Sequence, residues 1–160
     1  RPLLLQATRS THHIGHGLSQ VIKRVPVSAV SSSPIPAVLA KLGPLNPDDM
    51  PDLRFFLEAV PDPRSRRGRW YSLTSILLVC AAAVVSGART IDELAEWGAR
   101  ADAGLLAALG VRRHLLCWRH APSRSAIGRV LERLDTDALD AAVGAWLAHR
   151  HRAAARAGDG

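Results

Sequence analysis

The feature that most constrains this 160-residue chain is a run of nineteen residues, 70–88, without a charged side chain. A bilayer span needs about 20 predominantly apolar residues. Here the strictly apolar centre covers only residues 76–85. Ser72, Thr74, Ser75, Ser86 and Gly87 dilute the ends, and Ala81-Ala82-Ala83 is weakly hydrophobic. A helix that is apolar all round but too short to span a membrane belongs at the centre of a helical bundle. No membrane partner is expected, and Cys80 within the run reads as a small core residue.

The rest of the composition agrees with helices. Aromatic residues make up 4% of the chain, so the core must rest on Leu, Val, Ile and Ala, which favours packed helices over a β-sandwich. A content of 48% hydrophobic and 22% charged residues excludes a wholly disordered chain. No run alternates with period two. The expectation is an all-α small helical bundle over residues 36–152, with a disordered tail over 1–35 and a frayed end over 153–160. The string Ser31-Ser32-Ser33-Pro34-Ile35-Pro36 reads as a linker. Leu3-Leu4-Leu5 is too short for a secretory core, while Arg9, Lys23 and Arg24 in an acid-poor stretch leave a transit peptide open. His12, His13 and His16 have metal-binding spacing or form a simple His-rich patch. Two cysteines do not make a disulfide scaffold and point to a reducing, cytoplasmic setting.

Caps divide the bundle. Asp48, Asp49 and Asp52 open a helix with Leu53, Phe56, Leu57 and Val60 inward, and Pro61-Asp62-Pro63 ends it. Thr90-Ile91-Asp92-Glu93 has the pattern of a capping box, in which Thr90 and Glu93 satisfy each other's backbone amides. Asp102 caps a short segment closed by Gly110. Ser123 caps a helix whose apolar face is Ile127, Val130, Leu131 and Leu134. A last helix starts at Asp135 or Thr136 and buries Ala138, Leu139, Val143, Trp146 and Leu147.

The net charge is +7, and nineteen of the twenty-one basic residues are Arg. Over residues 61–89 five Arg face a single acid, Asp62, so more than half the excess sits there. Arg64, Arg66, Arg67 and Arg69 form either a solvated loop or a phosphate contact. Guanidinium suits the second because it meets phosphate in a bidentate fork. The helix over 123–134 follows a helix and a short helical turn, an order compatible with a helix-turn-helix-like element. It would offer Arg124, Ser125 and Arg129 to a DNA groove. A plain hairpin with solvated arginines is the alternative. His114, Cys117 and His120 recur every third residue but lack a fourth donor, so no metal is expected. Phosphate cradles and nucleophile elbows are absent, and no catalytic residue is assigned.

Pro61-Asp62-Pro63-Arg64, Arg67-Gly68, Tyr71, Leu73, the apolar helix, Ser86-Gly87-Ala88-Arg89 and residues 91–97 closely resemble the N-terminal domain of one family. These are the bacterial insertion-sequence transposases of the H-repeat-associated type. Pro122-Ser123, Arg129, Leu131, Leu134-Asp135, Leu139 and Trp146-Leu147 resemble the second half of the same domain. The resemblance runs over residues 50–148. Ala126 departs from a usual Thr, and Gly128 from a larger polar residue; a helical Gly costs about 1 kcal/mol against Ala.

The resemblance implies a DDE catalytic domain downstream, where carboxylates hold Mg²⁺ for phosphoryl transfer. No residue here inherits those roles, no cofactor is expected within this chain, and the chain is expected to stop where the linker to that domain would begin. Three outcomes stay open. The chain engages DNA, with transposon ends as its partner, through Arg64, Arg66, Arg67, Arg69, Arg124 and Arg129. It is a docking or dimerisation domain that forms a homo-oligomer and touches no DNA. Or it is a truncated, inactive relic.

Overall fold

The computed structural model describes residues 35–158 except 68, 116 and 117, all within the compact unit Ser32–Gly160. The tail through residue 34, with His12, His13 and His16, lies outside the described residues, as does Cys117. Every regular element among the described residues is helical. Two 3₁₀ segments, Ala37–Leu42 and Pro47–Asp49, precede α1 (Met50–Leu57), α2 (Leu73–Val85) and α3 (Ile91–Arg100). Then come α4 (Ala103–Ala108), α5 (Arg124–Leu131) and α6 (Thr136–Gly158).

The apolar run becomes α2, and its burial is the organising fact of the fold. Ser72 caps it by accepting the Ser75 amide at 3.0 Å. Leu73 and the unbroken stretch from Ser75 through Ala81 are buried, as is Ala83. The segment Ala37–Leu42, α1, α3 and α5 pack around α2, while α6 lies against α1 and Ala37–Leu42. Leu39, Leu53, Leu77, Leu94, Ile127 and Trp146 come from all these elements into one core. Each buried side chain of this size contributes roughly 1.5–3 kcal/mol. No helix among the described residues is long and apolar enough to cross a membrane.

Ser75 is buried with its hydroxyl satisfied, whereas the buried Trp146 Nε1 has no hydrogen-bond partner among the described residues. Ser75 Oγ donates to the Gly110 carbonyl at 2.7 Å, which ties α2 to the turn after α4. Gly110 takes φ 77° there, and the Arg54 guanidinium lies so close that a Cβ would meet its Nη1. The left-handed backbone calls for glycine here, whereas the flexible end of Arg54 could move aside. Burial pushes the Cys80 thiol up to about 12.

The local caps follow from the sequence. Thr90 and Glu93 form the capping box of α3. Asp102 accepts the Leu105 amide at 2.8 Å, Ser123 accepts the Ala126 amide at 3.3 Å, and Asp135 accepts the Ala138 amide at 3.0 Å. The last helix runs to Gly158, beyond residue 152, and is exposed from His151 onward. Its middle is fastened to the first turn of the bundle: Arg150 reaches Asp49 at 3.5 Å and lies over the Trp146 ring at 4.8 Å.

The approach to α5 differs from a helix-turn-helix unit. Residues 109–123 connect α4 to α5, far more than the three- or four-residue turn such a unit uses. α5 is held instead by packing on α3 and α2. The physical reason is the demand of the core: α4 buries Leu106 and α5 buries Ile127, Val130 and Leu131, so each helix is placed by its own apolar face rather than by a short turn between them.

Candidate nucleic-acid interface

The arginine loop begins where Pro61 and Pro63 prevent α1 from continuing. Asp62, between the two prolines, organises the loop. Its Oδ1 accepts the Arg64 amide at 3.0 Å and Arg64 Nε at 2.9 Å; its Oδ2 accepts Arg64 Nη2 at 2.8 Å. Arg69 Nη1 stands 3.4 Å from the same Oδ2. Burial raises the Asp62 pKa, but the Arg64 hydrogen bonds and the Arg64 and Arg69 charges outweigh it, and the carboxyl titrates below its ordinary value. Arg69 also closes the loop on itself by donating to the Ser65 and Arg64 carbonyls. Arg64 Nη2 reaches the Tyr71 carbonyl at 2.9 Å.

Of the six arginines singled out in the sequence, three therefore pair with carboxylates of the chain itself, two of them in the partly buried Asp62 cluster and one at the surface. Arg64 and Arg69 share Asp62, and Arg124 pairs across to Asp92 on α3. Their charge is partly neutralised where they sit. Arg66 and Arg67 are exposed, and Arg129 donates to the Ser125 carbonyl at 3.1 Å. Among the described residues no carboxylate forms an ion pair with Arg66, Arg67, Arg129 or Arg133.

The tertiary structure joins the two basic features. A groove of about 450 Å³ is lined by Arg64 and Arg67 from the loop and by Arg129 and Arg133 from α5 and the turn after it. Trp70, Tyr71 and Ala126 complete the lining. Ala126, Arg129 and Arg133 follow each other at helical spacing of three and four, so they share one face, while Ile127, Val130 and Leu131 turn into the core. No Asp or Glu lines this groove among the described residues. Arginines from the loop and from the α5 end thus line one open space, an arrangement that suits an anion with several charges. Arg124 lies apart, on the α3 side.

Sequence reasoning missed the parts contributed by Arg133, Trp70 and Tyr71. The spacing of Arg133 to Arg129 is a visible signal of a shared face. Nothing in the sequence places the loop beside α5. A second cluster adjoins the groove. The Trp70 ring lies 5.5 Å from His114, and His114 stacks on Trp118 at 5.2 Å with planes 7° apart. The Tyr71 hydroxyl donates to the His120 and Ala121 carbonyls at 2.9 and 3.2 Å, which fixes this loop against the start of α2. Burial raises the Tyr71 pKa. No group of three or more His, Cys, Asp or Glu is placed to hold a metal among the described residues.

Comparison with known proteins gives two matches. The family model described as DDE_Tnp_1-associated matches residues 55–147, which span the arginine loop, α2 to α5 and most of the buried part of α6. An uncharacterized protein in the dhlA 3′ region of Xanthobacter autotrophicus is 35% identical over 101 residues, or 62% of this chain. The chain spans about a third of that relative's length, 32%. No solved structure matches.

Proposed function

The chain belongs to the DDE_Tnp_1-associated family, and from that membership we propose that its part in transposition is to hold DNA, with backbone phosphates seated against Arg67, Arg129 and Arg133. The family supplies the transposase association. The observation that carries the DNA reading is the groove: arginines from two distant parts of the chain line one space that no acid lines among the described residues. Such a surface binds phosphate through charge and forked hydrogen bonds, with little base readout. Arg66 lies exposed on the same loop and adds to the field. Arg64 and Arg69 set the loop's shape through Asp62 and contribute charge at shorter range. Bond breaking and joining belong to the DDE domain that the family's description names, and the holding surface would deliver DNA to it.

The test is a salt series of DNA binding on the intact chain. Duplex affinity should fall steeply as salt rises, because each neutralised phosphate releases counterions. Replacing Arg67, Arg129 and Arg133 together by Ala should lower the affinity and flatten the log–log slope by about 2–3, near 0.9 per phosphate. Unchanged affinity and slope in a variant that keeps its helical circular dichroism would refute the reading.

A further inference from the structure

We propose that the ring cluster of Trp70, His114 and Trp118 is a platform for an unpaired nucleotide of the bound DNA, an inference that rests on the DNA reading above. Trp70 belongs to both features: it lines the guanidinium groove, and its ring meets His114. Trp118 then lies parallel to His114, with the His120 ring edge-on to it at 6.0 Å. The two indoles remain 46% and 45% exposed, and the neighbouring Leu115 is 91% exposed. In the same chain Trp146 is wholly buried, so the fold has room for an indole in its core and leaves these two outside. An exposed apolar cluster of this kind marks a contact surface.

Its neighbours decide what it contacts. A groove of cations beside open aromatic rings is the arrangement that takes single-stranded nucleic acid, phosphates along the groove and bases on the rings. A base inside a duplex is already stacked on both faces and cannot reach a side-chain ring. The occupant is therefore an unpaired base, at a single-stranded end or drawn out of the helix. A strand whose phosphates lie against Arg67 and Arg129 has Trp70 as its first ring.

The experiment compares a blunt DNA duplex with the same duplex carrying a single-stranded overhang, using the intact chain at one salt concentration. The overhang should bind more tightly and quench indole fluorescence. Trp70→Ala and Trp118→Ala should each lower overhang affinity on the order of tenfold, Trp118→Ala should leave blunt-duplex affinity unchanged, and Trp118→Phe should keep most of the overhang affinity that Trp118→Ala loses. Equal binding of both duplexes, without quenching and without effect of the substitutions, would overturn the platform while the DNA reading stood. Failure to bind either duplex would overturn both. A changed sedimentation coefficient in Trp118→Ala with unchanged overhang affinity would overturn it too, and would make the cluster a protein contact.

Discussion

Asp62 grips Arg64 with both carboxylate oxygens, at 2.9 Å to Nε and 2.8 Å to Nη2, between two prolines that end α1. The pair is more than four-fifths shielded on the acid's side and nearly so on the base's, with side-chain exposures of 18% and 20%. It turns what the sequence offers as a flexible basic loop into a shaped one. Shape matters because the groove needs Arg67 and Trp70 to face α5.

Asp62→Asn should destabilise the fold by about 1–2 kcal/mol, between an exposed ion pair and a charged hydrogen bond. Because the folded-state pKa of Asp62 lies below 3.8, its stabilisation is fully present above that value. It is lost as pH falls through the depressed folded-state pKa. Urea titrations of both proteins should therefore show a constant gap at neutral pH that narrows in acid. A gap that widened in acid would contradict the assignment.

Two helical glycines should respond in opposite directions. A Cβ at Gly98 would stand 2.8 Å from Ala121 Cβ, where neither side has a flexible end to move. Gly98→Ala should cost about 1–3 kcal/mol by overpacking. A Cβ at Gly128 meets Ile91 Cδ1 at an ordinary 3.8 Å, so Gly128→Ala should gain roughly 1 kcal/mol of helix propensity. Thermal melts of the two variants check both signs.

Cys80 should resist alkylation in the native protein. It is fully buried, and its thiol is pushed up to about 12, so thiolate is scarce at about pH 8. Mass spectrometry after a maleimide pulse should find Cys80 unmodified without denaturant and modified with it. Rapid native labelling would mean that α2 opens more readily than its packing allows.

Arg124→Ala should affect DNA binding less than Arg129→Ala. Arg124 is already paired with Asp92 and lies outside the groove. Removing it exchanges one neutralised charge for a freed acid on α3. Removing Arg129 takes a cation from the groove itself, with a slope change of about 0.9 if it meets one phosphate. Anisotropy titrations at two salt concentrations separate the cases.

The helical class, the central place of the 73–85 run and the start of nearly every helix are legible in the order of residues alone. Those properties are local: an uncharged run must be buried, and a Thr, Ser or Asp one residue before an apolar period binds amides within the same turn. That order also marks the arginine loop and the arginines of α5 as separate basic features. Which cations line one groove together follows from the packed fold. Asp62 and Asp92 draw in Arg64, Arg69 and Arg124, while the packing of α5 against α2 and α3 brings Arg129 and Arg133 opposite Arg67. The Asp62 pairs are local, but the Arg124–Asp92 pair and the groove join residues far apart along the chain, and their distances are fixed by how the apolar faces pack, which no local pattern encodes.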